Sequence, residues 1–209
     1  MSSPWLLSRW SDLRKETGGL LSDLEAHELG RLAFVLSRER PIRVLEVGHY
    51  TGMSTRVILS SLCAGSTLVT IDHHLGDGNV GPSTCTLEGG DVGGLRSSGV
   101  GLVVAHGPFE SMLSDPIIAD PMTGKAEFDL VFYDAAHDRG SVEAFATLVD
   151  RVLAPGATLA WDDADWPAHE PLVELARRRG LVDRTPRPLV RGGRDKADPT
   201  TYTLAIWAL

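Results

Sequence analysis

The sequence is poor in cysteine, has no long hydrophobic run and lacks a secretion signal. Its 209 residues include two cysteines, Cys63 and Cys85, which do not form a C-x-x-C pair. A disulfide framework is therefore not expected, and a reducing cytoplasmic location is predicted. No apolar run approaches the length of about 18 residues that a membrane-spanning helix needs, and the N-terminus has no basic stretch followed by a long apolar core. We expect a protein that neither spans a membrane nor is secreted.

Positive charge is also scarce. The chain has 20 basic and 28 acidic residues and a net charge of −8, and its longest basic run is residues 177–179. These arginines come just before Gly180, where cations stabilise the end of a helix. No nucleic-acid partner is expected. The hydrophobic fraction of 43% is ordinary for a soluble enzyme, and the length fits a single α/β domain over residues 1–209.

The most informative stretch is residues 43–55, RVLEVGHYTGMST. A mostly apolar run leads through Glu46 to Gly48, and a helical pattern begins after Gly52, which predicts a strand, a tight turn and a helix. Glycines let the backbone turn sharply and approach a ligand, and Ser54 lies in the first turn of the helix, whose free N–H groups face the same crevice. The pattern predicts a nucleotide-sized pocket at the carboxyl end of the strand.

The glycine spacing does not fit a dinucleotide site. A dinucleotide loop reads G-x-G-x-x-G and holds a pyrophosphate at the helix N-terminus. Here the loop reads G-x-x-x-G with Tyr50 in the middle position. Glu46, two residues before the first glycine, would repel a diphosphate and suits a cationic ligand. A nicotinamide dehydrogenase is therefore the least favoured enzyme class.

Residues 46–54, EVGHYTGMS, resemble the first motif of the catechol O-methyltransferase-like group of class I S-adenosylmethionine (SAM) methyltransferases, approximately E-[LIV]-G-x-Y-x-G-x-S. The resemblance covers about residues 40–165. It implies SAM as the cofactor and a small molecule as the methyl acceptor. The residues of this motif that are expected in the cofactor pocket are Glu46, Gly48, Tyr50, Gly52 and Ser54.

A second cofactor contact is predicted at the end of the next strand. Residues 67–72, TLVTID, read as a buried strand that ends in Asp72, 20 residues after Gly52. A carboxylate at that distance along the chain, at the tip of a neighbouring strand, can accept hydrogen bonds from both ribose hydroxyls. The alternative is that Asp72 only forms a turn.

Three further residues are expected near the nucleoside. His73 follows the ribose acid, and a metal role for the pair His73 and His74 is not favoured because no third ligand is nearby. The resemblance places the adenine beside the turn at His106 and Gly107. The stretch 76–99, rich in Gly, Ser and Thr, is read either as a loop over the active site or as an insertion.

The order of the predicted elements indicates the fold. Helices are expected over residues 4–15 and from Ser22 onwards. After residue 40, strands alternate with helices, and the chain ends with two strands in succession, over 181–185 and 201–209. This order predicts a Rossmann-like, seven-stranded, mostly parallel sheet with one antiparallel strand and helices on both faces. A helical segment (1–40) precedes the core (41–209), as in the class I SAM methyltransferase fold.

Three acids end the later strands and predict a metal site. Asp134 follows the fourth strand, and Asp162 and Asp163 follow the fifth, so their carboxylates are expected at one edge of the sheet. Such carboxylates suit Mg²⁺ or another divalent cation. The resemblance implies the same three positions as metal ligands, with Asn more usual where this chain has Asp163, and it places Asp134 beside the cofactor as well. The alternative is that the Asp162–Asp163 pair only caps a helix or a turn.

A catalytic base is predicted three residues after Asp134. His137 stands where the catechol-methylating proteins carry a lysine, and an imidazole can accept a hydroxyl proton near neutral pH. Metal-assisted O-methylation of a small molecule is therefore predicted. Tyr133, Trp161 and Trp166 lie beside the acids and are read either as a wall for a flat or sugar-like acceptor or as core residues.

Three alternatives to this function stay open. The protein could be a metal-independent methyltransferase, or a SAM-fold protein recruited to another reaction such as cyclisation. It could also be a non-catalytic SAM-binding subunit, in which His137 would be dispensable. The sequence also leaves open whether the protein forms a homodimer.

Overall fold

The computed structural model describes residues 4–72, 99–106, 127–186 and 203–209. Five helices and seven strands lie within these residues, together with a short 3₁₀ turn at Pro167–His169. The helices are α1 (Pro4–Thr17), α2 (Asp23–Ser37), α3 (Met53–Leu59), α4 (Arg139–Val149) and α5 (Glu170–Arg178). The strands are β1 (Arg43–Val47), β2 (Thr67–Asp72), β3 (Gly101–His106), β4 (Phe128–Tyr133), β5 (Leu153–Trp161), β6 (Val182–Asp183) and β7 (Ala205–Ala208).

The strands form one sheet in the order β3-β2-β1-β4-β5-β7-β6. Strands β1 to β5 are parallel, and β7 runs antiparallel to both β5 and β6, so one strand is reversed. The predicted seven-stranded, mostly parallel sheet with one antiparallel strand is confirmed. Because Val47 is level with both Ile71 and Tyr133, the carboxyl ends of β2, β1 and β4 meet at one edge of the sheet.

Helices cover both faces of the sheet, as predicted, and apolar side chains of the central strands point alternately to the two faces. Val44 in β1 packs in a cluster with helices α1, α2 and α3. Leu45 and Val47 point to the other face and pack with α4 and α5. Because successive side chains of a strand point to opposite faces, the continuous apolar run of β1 supplies both cores at once.

Helix α2 begins where the sequence predicts. The Ser22 hydroxyl accepts a hydrogen bond from the Glu25 amide (3.2 Å), and the Glu25 carboxylate accepts one from the Ser22 amide (2.8 Å). This reciprocal capping box satisfies two N–H groups that would otherwise lack partners at the start of the helix. The Glu25 side chain is fully buried.

The later elements differ in detail from the sequence prediction. Residues 154–156, whose sequence APG is typical of a turn, lie inside β5, where the register shifts between Phe128 and Leu130. Gly156 takes a positive φ of 78° and absorbs this irregularity. Strand β6 has two residues where five were expected. In the part of the chain that the structure describes, no helix is long and apolar enough to cross a membrane.

Three predicted stretches lie largely or wholly outside the described residues. They are the 76–99 stretch, the turn that follows the third strand, and the loop between the two last strands. The predicted site residues His73 and Gly107 also lie outside the described residues.

Candidate active site

The loop between β1 and α3 turns through three residues with positive φ. These are Gly48 (φ 90°), Tyr50 (φ 44°) and Gly52 (φ 83°). A Cβ atom added to Gly48 would lie 2.0 Å from the carbonyl oxygen of Asp134, so the chain leaving β4 passes directly against this glycine. The Gly48 amide donates a hydrogen bond to Ile71 O (2.8 Å). Glycine is required here both for its backbone angle and for the close approach of the neighbouring chain.

Asp72 binds the backbone of this loop. Its Oδ2 accepts hydrogen bonds from the amides of His49 (2.8 Å) and Tyr50 (2.7 Å). Two N–H donors on one carboxylate oxygen hold the loop against the end of β2. Neither amide uses Oδ1. The structure thus gives Asp72 a role in shaping the loop, which the sequence did not predict, and the ribose contact remains a prediction for its second oxygen.

Glu46 lies behind the loop, inside the protein. Its side chain has no exposed surface, and its Oε2 accepts a hydrogen bond from the Thr55 hydroxyl at 2.6 Å. Burial raises the pKa of the Glu46 carboxyl to about 7, because a charge is poorly solvated there, while the hydroxyls of Ser54, Thr55 and Thr70 oppose the shift. The expected direct contact between Glu46 and the cofactor is not supported by this geometry, since α3 covers the carboxyl group.

His49 is a part of the loop that the sequence prediction did not include. Its ring is buried, and Nδ1 lies 3.1 Å from the Thr70 hydroxyl of β2. Its backbone amide is one of the two donors to Asp72. Side chains of β2 alternate between the two faces of the sheet, so Thr70 and Asp72 lie on the same face. This spacing was the sequence signal that one residue after Gly48 could contact both of them.

The two acids after β5 point to different sides of the sheet. Asp162 is fully buried, and its Oδ1 lies 3.0 Å from the Thr203 hydroxyl. Asp163 has a left-handed backbone (φ 51°), and its Oδ2 lies 3.3 Å from Nε2 of His137. The amide of Asp134 donates to Val47 O, which places that residue beside Gly48. The two carboxylates thus have different partners, although the residues are adjacent in the chain and follow the end of β5.

The Thr203 hydroxyl joins two buried carboxyl groups. Its Oγ1 lies 2.8 Å from Glu25 Oε1 and 3.0 Å from Asp162 Oδ1, and its amide donates to the same Glu25 oxygen at 2.7 Å. One hydroxyl has one hydrogen to donate, so the two carboxyl groups share the Thr203 hydroxyl. Burial, with a smaller effect of the Asp162 charge, raises the pKa of Glu25. Asp162 therefore contacts Thr203, which precedes β7 and in turn contacts Glu25 of α2.

The predicted divalent-metal site does not fit this arrangement. In the part of the chain that the structure describes, no group of three or more His, Cys, Asp or Glu side chains is arranged to hold a metal ion. Asp162 faces Glu25 and Thr203, whereas Asp163 faces His137. A hard cation needs several oxygens that converge on one point, so the expected set of Asp134, Asp162 and Asp163 is not formed.

A second histidine, His169, completes the surroundings of His137. It is buried, and its Nδ1–H donates to the carbonyl oxygen of Asp163 at 2.8 Å. Burial lowers the pKa of His169, which favours the neutral ring. The rings of His137 and His169 lie 5.6 Å apart, and the Trp166 ring lies 4.9 Å from His137. No sequence pattern indicated His169, because its partner is a backbone carbonyl six residues earlier.

The aromatic residues divide between core and surface. Tyr133 and Trp161 are buried, and Trp161 stacks on Trp207 with ring centroids 6.4 Å apart. Trp166 is 42% exposed and lies beside His137. Of the three aromatic residues expected near the acceptor, Trp166 alone has an exposed ring. The backbone of His106 ends β3 level with Asp72, at the same edge of the sheet.

A family model described as a methyltransferase domain matches residues 45–164, which include the glycine loop, His137 and Asp163. The glycine loop at the carboxyl end of β1, the acid at the end of β2 and the strand order define a class I SAM-dependent methyltransferase. This chain belongs to the methyltransferase-domain family. A search of curated proteins found no match to the sequence.

Solved structures share this fold at low sequence identity. A candidate O-methyltransferase from Klebsiella pneumoniae aligns with a TM-score of 0.65 at 16% identity, over 100% of this chain and 91% of that chain. The O-methyltransferase TomG from Streptomyces achromogenes, involved in tomaymycin synthesis and solved with SAM, aligns with a TM-score of 0.58 at 19% identity, over 100% and 91%. An O-methyltransferase from Bacillus cereus, solved with SAH, aligns with a TM-score of 0.57 at 14% identity, over 100% and 93%. Likeness at these identities concerns the fold.

Proposed function

We propose that the protein transfers the methyl group of SAM to a hydroxyl oxygen of a small molecule, with His137 as the proton acceptor. The family match supports methyl transfer, and the similar structures solved with SAM or SAH support this cofactor. The observation that carries the proposal is that Asp72 ends a strand, and the glycine loop and His137 follow strands, whose carboxyl ends all lie at the same edge of one sheet. A cofactor held at the loop and a base on the neighbouring chain segment can then meet the same acceptor.

The cofactor is proposed to lie along the loop after β1. The two amides on Asp72 Oδ2 fix the loop in its positive-φ conformation, and Oδ1 is left to accept ribose hydroxyls. Tyr50 is partly exposed and Ser54 lies in the first turn of α3, so both are candidates for further contacts. Glu46 is not a direct contact in this proposal, because it is covered.

Methyl transfer by this site needs one proton acceptor. The acceptor oxygen attacks the sulfonium methyl carbon in line with the breaking S–CH₃ bond, and the sulfur takes the bonding electron pair and becomes the neutral thioether of SAH. The hydroxyl proton passes to the His137 imidazole and from there to solvent. His137 is partly exposed, with 27% of its side-chain surface accessible, and its Nε2 lies 3.3 Å from Asp163 Oδ2. No metal ion enters the proposal, because the described carboxylates do not converge.

The acceptor is proposed to be a small molecule with a flat or sugar-like ring. The exposed ring of Trp166 lies beside His137, and such a ring can stack on an aromatic or sugar face and bring a hydroxyl to the imidazole.

Calorimetric titration tests the cofactor half of the proposal. SAM and SAH should both bind the wild-type protein. Asp72→Asn should bind them about 10- to 150-fold more weakly, since a hydrogen bond to a charged group contributes about 1.5 to 3 kcal/mol. The amide retains an oxygen for the loop amides, so the variant should fold. Asp12→Asn, at an exposed position on α1, is the matched control. Failure of SAM and SAH to bind the folded wild-type protein would overturn the proposal.

Turnover of phenolic and sugar acceptors tests the catalytic half. His137→Ala should lower the rate by about 10² to 10⁴, the usual contribution of a positioned base, with little change in SAH affinity. Wild-type rates in this variant would remove His137 from the mechanism. A SAM-binding subunit without catalysis would bind SAH and turn over none of these acceptors.

A further inference from the structure

We propose that His169 is a positioning residue of the acceptor site, whose ring fixes the chain between β5 and α5 so that the Trp166 indole stays at the carboxyl edge of the sheet. The inference rests on the proposed function, in which the exposed Trp166 ring receives the acceptor. It gives a role to a buried side chain that the proposed reaction does not use. The segment concerned, residues 162–169, is called the connector below.

The connector has buried ends and an exposed middle. Asp163 and His169 are 7% and 1% exposed, whereas Trp166 between them is 42% exposed. The Ala164 amide donates a hydrogen bond to Thr203 O (2.9 Å), so the connector is also tied to the chain that precedes β7. A ring carried by a segment whose ends are fixed has a defined place, as a binding residue on a rigid scaffold needs.

Three hydrogen bonds close the connector into a compact turn, and His169 makes two of them. The Trp166 amide donates to Asp163 O (3.0 Å), and the His169 amide donates to Trp166 O (3.0 Å). The third joins Nδ1 of the His169 ring to Asp163 O over 2.8 Å. The two backbone bonds can form with almost any residue at position 169, but the third requires a side chain with a donor at the place of Nδ1.

The partner of the His169 ring defines its tautomer. A carbonyl oxygen only accepts hydrogen bonds, so Nδ1 carries the hydrogen and the neutral ring has its lone pair on Nε2. That nitrogen is buried and has no hydrogen-bond partner among the described residues. The ring therefore spends its one donor on the Asp163 carbonyl, which is the same oxygen that accepts from the Trp166 amide.

The His169 ring also joins the connector to β4. It meets the buried Tyr133 ring edge-on, with ring centroids 6.2 Å apart at 86°. Trp166 lies beside His137 on the chain that leaves the same strand, with ring centroids 4.9 Å apart. The place of the indole relative to the proposed base thus depends on a ring that itself touches neither cofactor nor acceptor in the proposed reaction.

Loss of the His169 donor should act on acceptor binding. The connector would keep its two backbone bonds, but the Asp163 carbonyl would lose one of its two donors and the indole would be held less firmly. An acceptor that stacks on the indole would then have to order it on binding, which weakens affinity. The loop after β1, where the cofactor is proposed to bind, would keep its own bonds to Asp72.

NMR on the whole protein tests the positioning without any ligand. Ring ¹⁵N spectra of the wild type should show neutral His169 protonated at Nδ1. In His169→Leu, hydrogen exchange of the Trp166 amide should become about 3- to 10-fold faster, the change that the loss of one hydrogen bond of usual strength produces. His169→Asn places an amide N–H where Nδ1 was and should restore slow exchange. His27→Leu, at a partly exposed position of α2, is the matched control.

A double-mutant cycle tests whether His169 acts through Trp166. With the phenolic or sugar acceptor that the wild type methylates fastest, His169→Leu should raise the acceptor KM about 3- to 10-fold and leave SAH affinity unchanged. In a Trp166→Ala background the same substitution should have little further effect on KM. A fold change in KM of equal size in both backgrounds would mean that His169 does not act through the indole.

Other results would also overturn the inference. They are a neutral wild-type ring protonated at Nε2, and Trp166 amide exchange that is the same in wild type and His169→Leu. Should His169→Leu not fold, the wild-type tautomer and the exchange rate in His169→Asn still decide the matter. A folded wild type that binds no SAH, or methylates none of the acceptors, would instead count against the proposed function, and the NMR results would still decide whether His169 holds the connector.

Discussion

Replacing Glu46 by Gln should change how the stability of this protein depends on pH. The Glu46 carboxyl is fully buried behind the glycine loop, and its pKa rises from an ordinary 4.5 to about 7 because burial disfavours the charge. The native state therefore keeps the proton over a pH range in which the unfolded chain has already lost it. The stabilising contribution of the protonated Glu46 to the free energy of unfolding is complete below about pH 4.5. It is lost as the pH rises through about 7.

The size of the effect follows from the shift. Each pKa unit corresponds to about 1.4 kcal/mol, so a shift from 4.5 to about 7 corresponds to about 3 kcal/mol. The free energy of unfolding of the wild type should lose this amount, from Glu46, between about pH 4.5 and pH 8. Glu46→Gln has no proton to release. Its stability relative to wild type should therefore improve by about 3 kcal/mol over the same range.

Urea unfolding of both proteins at several pH values measures this difference. Subtraction of the two curves removes the titration of groups that the variant does not touch. Glu39→Gln, which removes the charge of a side chain that is 80% exposed, should show no such trend. Parallel pH curves for wild type and Glu46→Gln would refute the reasoning, since they would mean that Glu46 titrates alike in the folded and unfolded chain.

Two further variants test the packing at the same edge of the sheet. Gly48→Ala should lose at least about 3 kcal/mol of stability, because its Cβ would fall 2.0 Å from the Asp134 carbonyl oxygen at a positive φ. Gly18→Ala, at a positive φ with open space around it, should lose only about 1 kcal/mol by urea unfolding. Equal losses would contradict the close approach of the two chain segments. Thr203→Val should lose about 2 to 3 kcal/mol, because the hydroxyl between Glu25 and Asp162 is removed and buried acceptors lose their donor. Thr147→Val, on the exposed surface of α4, should change stability by less than about 0.5 kcal/mol, and a similar value for both threonine variants would show that the bridge is not needed.

The glycine loop was predictable because its chemistry is local. Gly48 and Gly52 need positive φ angles, and an apolar run before them and a helical pattern after them show the change of element. The succession of strands and helices along the chain was predictable for the same reason, since each strand is a separate apolar run. The cap at Ser22 and Glu25 also follows from spacing alone.

The orientation of the acids was not predictable from the sequence. Asp162 faces inward because of Thr203, which is 41 residues away in the chain, and Glu25, whose link to Thr203 spans 178 residues. The direction of Asp163 depends on a left-handed backbone that the pattern D-D does not reveal. A strand ending in two acids is compatible with a metal site or with the cap of a helix or turn, and long-range contacts decide how the acids point.

The position of β7 has a consequence for synthesis on the ribosome. This strand lies between β5 and β6 in the sheet, yet it is made after both, and β7 is the strand that pairs with β6 in the described sheet. A nascent chain arrested after residue 186 would thus hold the β6 segment with no neighbour to pair with, and β5 would be an open edge. Glu25 and Asp162 would meet without the hydroxyl that joins them. Such arrested chains should be cut by a protease near Val182, and completed chains should resist. Equal resistance would mean that this edge of the sheet closes before β7 arrives.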